Sequence, residues 1–179
     1  MSLFSKRLLE WHKKEGRKDL PWQQNITPYK VWISEIMLQQ TQVSTAIPYF
    51  LKFIQRFPNI DTLANATEDE VLSYWSGLGY YTRARNILKS AQLIKIEFES
   101  TLPKSLKELV TLPGIGRSTA GAIRSIGYGL KAPILDGNVK RVLSRYFKIE
   151  DDLNKSSIQK ELWLLSEKVL PKSNFNFYT

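Results

Sequence analysis

The chain contains no cysteine among its 179 residues. This absence excludes disulfide bonds, thiolate metal sites and iron–sulfur ligation by residues of this chain. Long apolar runs are also missing. Nothing in the sequence approaches the roughly 20 consecutive apolar residues that span a bilayer, and the first residues lack the apolar stretch of a secretory signal. We therefore expect a cytoplasmic protein without a membrane partner.

Acidic residues are scarce relative to basic ones. The sequence has 26 Lys and Arg against 17 Asp and Glu, a formal net charge of +9. The excess is concentrated in residues 101–150, which hold nine basic and three acidic side chains. Such a surplus favours a polyanionic partner, because Lys and Arg neutralise phosphates and release their counterions. A basic chain can also serve solubility alone, so the charge indicates nucleic acid only together with motifs.

Alternating strand patterns are missing, whereas helical periodicity is present along most of the chain. The clearest apolar stripes lie in residues 43–57, 84–94, 139–147 and 158–169. Pro48 lies inside the first stripe and predicts a kink or a helix start there. Thr67 with Glu70, and Ser105 with Glu108, match capping boxes. These patterns predict an all-α fold.

A glycine-rich turn, LPGIGRSTA at residues 112–120, lies between two predicted helices. Gly114 and Gly116 allow backbone conformations and close approaches that other residues do not. The N–H groups from Gly116 onward begin the next helix, where the helix dipole favours an anion such as a DNA phosphate. A plain corner between two helices with glycine caps is the alternative interpretation.

A carboxyl group is surrounded by apolar residues in the segment WISEIMLQQTQ at residues 32–42. Apolar surroundings disfavour the charged form, so we expect a raised pKa for Glu35, as a general acid near neutral pH requires. The alternative is a surface glutamate whose neighbours alone face the core. The glutamines that follow can hydrogen-bond base edges, or they can be solvated residues at a helix end.

Asp136 precedes an amphipathic helix and is therefore expected to be its N-cap. A carboxylate held there has a fixed direction and is stabilised by the helix dipole. It could therefore also stabilise a cation that develops on a sugar.

The segment WSGLGYYTRAR at residues 75–85 combines two glycines, two tyrosines and two arginines. Aromatic rings can wedge into a base stack, and arginines can bind phosphates. The alternative is a connecting loop whose tyrosines pack on the core.

Together these segments resemble the helix-hairpin-helix DNA glycosylase superfamily, and within it the MutY-like adenine glycosylases. The resemblance runs from about Leu9 to Asn176. It is carried, in the family's order, by residues 16–22, 27–32, 34–43, 77–86, 112–123 and 134–143. It implies two helical domains with a DNA cleft between them. One is a six-helix barrel at residues 23–132 with the helix-hairpin-helix near 106–126, and the other combines residues 1–22 with 133–179.

The resemblance implies a catalytic role for three residues. Glu35 matches the glutamate that protonates the departing adenine, and Asp136 matches the aspartate that faces the sugar cation. Asn138 matches a residue that helps to place catalytic groups. The implied activity is hydrolysis of the N-glycosidic bond of adenine mispaired with 8-oxoguanine or guanine, in base excision repair. The implied partner is duplex DNA with an adenine mispair, bound by a monomer.

The resemblance also implies two groups of binding residues. At the substrate we expect the adenine-pocket residues Arg17 and Trp22, the inserting residues Gln40, Leu78 and Tyr80, and Ser118. At DNA phosphates we expect the hairpin residues Pro113, Gly114, Ile115, Gly116 and Arg117, together with Lys140.

The sequence departs from the family's pattern near its end. Members usually continue past a Phe-Asn step with a further helix, four cysteines that hold a four-iron four-sulfur cluster, and a domain that reads the oxidised guanine. Here Phe175 and Asn176 are followed by three residues. We therefore expect no cofactor and no metal site in this chain, weak DNA binding and poor turnover.

Two alternatives to an active adenine glycosylase follow from the same residues. A bifunctional glycosylase and lyase of the endonuclease III kind has a lysine where this chain has Ser118, and serine cannot form a Schiff base. Lys140 is nearby and could react weakly with an abasic sugar. The other alternative is a truncated or decayed copy that binds DNA through the hairpin with little or no activity.

Overall fold

The computed structural model describes residues 2–171, and every regular element in that range is helical. The predicted all-α fold is therefore confirmed. The helices are α1 (Leu3–Glu15), α2 (Pro28–Leu38), α3 (Val43–Arg56), α4 (Ile60–Ala64), α5 (Glu68–Trp75), α6 (Thr82–Glu97), α7 (Leu106–Leu109), α8 (Arg117–Ala122), α9 (Gly137–Tyr146) and α10 (Ser156–Val169). A 3-10 turn at Pro21–Gln23 precedes α2, and a π-helical turn at Ile123–Gly127 follows α8.

Helix α2 lies at the centre of the fold. Seven of its 11 residues are buried, including Trp32 and Ile33, which are fully enclosed. A helix that is apolar on all sides is stable only when other elements surround it. Here α3, α6, α8 and the π-helical turn pack around it. The chain enters α2 through Thr27, whose hydroxyl oxygen accepts a hydrogen bond from the Lys30 amide at 3.1 Å.

The helix boundaries test the capping residues and the proline effect that the sequence predicts. The Thr67 hydroxyl accepts from the Glu70 amide at 3.2 Å, so the N-cap predicted before α5 is confirmed. Ser105 makes no side-chain hydrogen bond to the start of α7, and that predicted capping box is wrong. The short helix has only four residues, so little helix is present for a cap to stabilise. Pro48 lies in the second turn of α3 without ending it.

Most of the buried apolar side chains belong to one of two hydrophobic clusters. The larger cluster extends from Tyr29 to Ile123 and fills the space around α2. The smaller one joins α1 to α9 and α10, with Leu143 and Leu162 buried and Phe4 packed against them. The predicted domain division at residues 22/23 and 132/133 stays a prediction.

The predicted apolar stripe on α9 is wider than the buried face. Leu143 is buried and Phe147 is partly buried, but Val142 and Tyr146 are 46% and 49% exposed. Among the helices of residues 2–171, α10 is the one that makes extensive contact with α9, and it covers part of the stripe. Among residues 2–171, no helix is long and apolar enough to cross a membrane.

Gly121 provides a test of how closely α8 packs against the segment before α9. A Cβ atom at Gly121 would lie 2.2 Å from the carbonyl oxygen of Pro133, which is backbone and cannot easily move. We therefore expect Gly121→Ala to lower the free energy of unfolding by about 1–3 kcal/mol, the usual cost of overpacking. Gly137→Ala is the control, because a Cβ there meets nothing within 4 Å. Chemical denaturation should show it neutral or slightly stabilised, and equal effects in both variants would contradict the packing.

Candidate active site

A cleft of about 650 Å³ lies where the loop after α1, the end of α2 and the starts of α3 and α9 meet. Six of the residues predicted from the sequence line it, namely Arg17, Trp22, Glu35, Gln40, Asp136 and Asn138. Thr41, Thr119 and Arg141 also line the cleft, and the sequence analysis did not single them out. These residues come from four separate parts of the chain, and the fold brings them to one surface.

Glu35 lies in the last turn of α2 and is partly buried. Its pKa is raised from 4.5 to about 7, first by desolvation and second by the negative charge of Asp136. The carboxyl group also borders a second cavity, of about 310 Å³, which Trp22, Ser34 and Val31 help to line. The raised pKa agrees with the expectation from its apolar sequence neighbours. A protonated carboxyl group that opens onto a cavity can donate a proton to a ligand there.

Asp136 is the N-cap of α9, as predicted. Its carboxylate accepts a hydrogen bond from the Val139 amide at 2.7 Å, and the residue is exposed to the cleft. Because the cap fixes the carboxylate, the negative charge has a defined position. The cleft therefore contains one carboxyl group held in its proton-bearing range and a second group whose charge disfavours ionisation of the first.

Asn138 lies in the first turn of α9 and also faces the cleft. Its amide oxygen accepts a hydrogen bond from the Arg141 guanidinium at 3.3 Å. This contact engages the amide oxygen, and the role of Asn138 in placing catalytic groups stays a prediction. Lys140 lies in the same turn and is partly buried, and its role at a phosphate stays a prediction.

Gln40 and Tyr80 share an uncommon backbone conformation. Their φ angles are +58° and +50°, in the left-handed region that costs a residue other than glycine about 1–3 kcal/mol. Both side chains are exposed, that of Tyr80 to 60%. Leu78 differs, because it is 7% exposed and belongs to the large hydrophobic cluster. Insertion of Leu78 into a base stack would require its side chain to leave the hydrophobic core.

The hairpin between α7 and α8 is held to the rest of the protein by a buried side chain and a hydrogen bond. Ile115 is buried, and the Pro113 carbonyl accepts a hydrogen bond from the Ser90 hydroxyl at 2.8 Å. Gly114 has a φ of +78°, and a Cβ there would lie 3.0 Å from the Cβ of Asn86. Gly116 is the N-cap of α8, with open space around it. The turn therefore leaves space in front of the first backbone N–H groups of α8, and phosphate binding there stays a prediction.

Two other hairpin residues are occupied by contacts within the protein. The Arg117 guanidinium pairs with Glu167 of α10 at 2.8 Å and lies 3.9 Å from the centre of the Trp163 ring. The Ser118 hydroxyl accepts a hydrogen bond from the Leu135 amide at 3.1 Å. Neither residue lines the cleft. Their predicted roles at phosphate and substrate stay predictions, and in this structure both side chains connect α8 to the segments that follow it.

Arg83 differs from the expectation for the segment at 75–85. Its guanidinium donates to backbone carbonyls at the end of α2 and in two loops instead of being free for a phosphate. No sequence pattern indicates this arrangement, because most of its acceptors are main-chain atoms that every residue carries.

The described residues contain no group of three or more His, Asp and Glu side chains placed to hold a metal ion. The chain has no cysteine, so the iron–sulfur cluster implied by the resemblance has no ligands among its residues.

Comparison with known proteins finds relatives that match nearly the whole chain. The chain is 56% identical over 169 residues to the adenine DNA glycosylase of Buchnera aphidicola subsp. Baizongia pistaciae (strain Bp), with 94% of the chain and 48% of that protein covered. It is 39% identical to the adenine DNA glycosylase of Homo sapiens, with 95% of the chain and 33% of that protein covered. The chain thus spans about half the length, or less, of these curated relatives.

Solved structures share the fold. A thermostable thymine-DNA glycosylase aligns with a TM-score of 0.87 and 26% identity, over 98% of the chain and 82% of that protein. Endonuclease III from a non-covalent complex with DNA aligns with a TM-score of 0.78 and 20% identity, over 98% of the chain and 78% of that protein. The sequence pattern of the HhH-GPD superfamily base excision DNA repair proteins matches residues 33–168, a range that includes both carboxyl groups of the cleft. The chain therefore belongs to the HhH-GPD superfamily of base excision DNA repair proteins.

Proposed function

We propose that the chain is an adenine DNA glycosylase that hydrolyses the N-glycosidic bond of adenine mispaired with 8-oxoguanine or guanine. The observation that carries the proposal is the pairing of Glu35, with a pKa of about 7, and the fixed carboxylate of Asp136 in one cleft. The similarity to adenine DNA glycosylases over nearly the whole chain supports adenine as the base.

The two carboxyl groups divide the reaction between them. The protonated Glu35 donates its proton to the departing adenine, so the electron pair of the glycosidic bond leaves with a neutral base. The sugar then develops positive charge, which the nearby Asp136 carboxylate stabilises. Water adds to the anomeric carbon and loses a proton, and the products are free adenine and an abasic site.

Access to the bond requires the adenine to leave the base stack. The cavity bordered by Trp22, Ser34 and Glu35 has about 310 Å³ and is the proposed site of the extruded base. Gln40 and Tyr80 are proposed to fill the space beside the opposite guanine, because Gln40 lines the cleft and Tyr80 is 60% exposed on a loop that Arg83 connects to the Gln40 loop. The hairpin at 112–116 is proposed to hold a phosphate through its backbone N–H groups.

The proposed partner is therefore duplex DNA that contains an adenine mispair, bound by a monomer in the cytoplasm. Oxidised guanine is expected to be recognised in part through the loop that carries Gln40.

The first test is replacement of the proposed acid. Glu35→Gln keeps the size of the side chain but cannot protonate adenine, so base release should fall by at least about a hundredfold. Release is measured in single turnover on a duplex with adenine opposite 8-oxoguanine, and binding to the same duplex should be retained. Wild-type release should also decline as the pH rises through about 7, because Glu35 then ionises. Binding without release by the wild-type chain would favour the non-catalytic alternative.

Thermal unfolding supplies the control for this variant. The folded-state pKa of Glu35 is raised, so its contribution to stability is complete below pH 4.5 and is lost as the pH rises through about 7. Glu35→Gln should therefore melt at a higher temperature than wild type at pH 8, with the difference much reduced near pH 4.5. A variant that is destabilised at both values would show that the loss of activity is a loss of folding.

The second test separates the charge of Asp136 from its capping. Asparagine is as good an N-cap as aspartate, so Asp136→Asn should keep the melting temperature while base release falls by roughly a hundredfold. The pH above which the residual activity declines should also move downward, because the charge that raises the Glu35 pKa is gone. A lower melting temperature with normal release would reduce Asp136 to a helix cap.

The third test concerns strand cleavage. The Ser118 hydroxyl cannot form a Schiff base, so base release should leave the strand intact until alkali or a second enzyme is added. Borohydride trapping on an abasic duplex measures any covalent adduct. A weak adduct that disappears in Lys140→Ala would come from that nearby amine. Cleavage in step with base release would identify the chain as a bifunctional glycosylase and lyase.

A further inference from the structure

One guanidinium joins the two loops that carry Gln40 and Tyr80. Arg83 lies in the first turn of α6 and donates to the carbonyls of Leu78 and Gly79 at 3.3 and 3.1 Å. On the other side it donates to the Gln39 carbonyl and to the Thr41 hydroxyl, at 3.3 Å in the latter case. Arg83 is therefore bound to one loop on both sides of Gln40 and to the other loop at the residue before Tyr80.

The same side chain also fixes the end of α2. The two hydrogens of its Nη1 atom are shared among the acceptors of the Gln40 loop and the carbonyls of Ile36 and Met37, each 3.0 Å from Nη1. These carbonyls belong to the last turn of the helix, where the Gln39 amide also donates to Ile36 at 3.3 Å. The helix end, the loop after it and the loop before α6 thus share one anchor.

Aromatic rings hold the guanidinium in this position. Its central carbon lies 5.4 Å from the ring centres of both Trp75 and Tyr80. Trp75 is fully buried, and its indole N–H donates to the Gly79 carbonyl at 3.1 Å. Tyr80 is therefore restrained twice, through the carbonyl of its neighbour and through its own ring.

We propose that Arg83 is a positioning residue for Gln40 and Tyr80, the two wedge residues proposed to insert beside the base opposite adenine. It holds both residues in left-handed backbone conformations that direct their side chains toward the DNA. The left-handed backbone is unfavourable for both residues, so it persists only where surrounding contacts require it. Arg83 supplies those contacts to both loops. A lysine cannot replace it, because a single ammonium group lacks the planar fork of donors that reaches both sides.

This inference rests on the proposed function for the identity of the DNA, but its first test does not need DNA. Arg83→Lys in the 179-residue chain should shift the backbone amide and Cα resonances of Gln40 and Tyr80 together, away from left-handed values. Arg56→Lys is the matched control, since the Arg56 guanidinium likewise lies over an aromatic ring, 4.9 Å from the ring centre of Phe57, but its polar partner is the Glu70 carboxylate, outside the site. Unchanged resonances at both wedge residues in Arg83→Lys would overturn the proposal.

The second test is a double-mutant cycle on binding. It is run in Glu35→Gln protein, so that it does not depend on base release. Arg83→Lys should reduce the preference for an adenine–oxidised guanine duplex over a matched duplex by about tenfold, the scale of one base-pair discrimination. The salt dependence of binding to matched DNA should stay unchanged, because no phosphate contact is lost.

In a background with Gln40→Ala and Tyr80→Ala, Arg83→Lys should cause little further loss, because the side chains it positions are absent. Additive losses, or a shallower salt dependence, would overturn the proposal and make Arg83 an independent DNA contact. If Arg83→Lys does not fold, Thr41→Ala removes the side-chain contact of Arg83 to the Gln40 loop alone and should shift the resonances of Gln40 more than those of Tyr80. Equal or absent shifts there would also overturn it. Failure of the proposed function would appear separately, as a wild-type chain that releases no adenine.

Discussion

The desolvation of the Glu35 carboxyl follows from the position of α2 at the centre of the helical core. A helix surrounded on all sides can expose a polar group only near its ends, and Glu35 is in the last turn. There the side chain reaches a cavity while apolar neighbours disfavour its charged form. The hydrophobic packing that stabilises the fold therefore also maintains a proton on this group near neutral pH.

Asp136 depends on the rest of the molecule in a different way. It is exposed, and its position is set by the start of α9 and by the segment that leads to it. That segment is held against α8, because the Leu135 amide donates to Ser118 and the Pro133 carbonyl lies close to Gly121. The distance between the acid and the carboxylate is thus controlled by helix packing outside the cleft. Substitutions in this packing would change the distance between the Glu35 and Asp136 carboxyl groups without contacting either residue.

Much of the fold and part of the cleft could be predicted from the sequence. Apolar periodicity indicated the long helices, and local chemistry indicated the Asp136 cap and the raised pKa of Glu35. The cap depends on residues three positions apart, and the apolar sequence neighbours of Glu35 indicated its burial, although the contribution of Asp136 to its pKa comes from a distant part of the chain. Arg83 and Arg117 could not be predicted in this way, because their partners lie about 40–50 positions away and include main-chain atoms. The exposure of Val142 was also unpredictable, since it depends on which helix happens to cover α9.

The ion pair between Arg117 and Glu167 connects the hairpin to α10, two parts of the chain that are far apart in sequence. Glu167 lies 50 positions beyond the hairpin, and its only described ion pair is with Arg117. Loss of that carboxylate would free the guanidinium and change how the hairpin is held against α10. Because position 167 lies on a different helix from the hairpin, its side chain can influence the proposed phosphate-binding turn only through this ion pair.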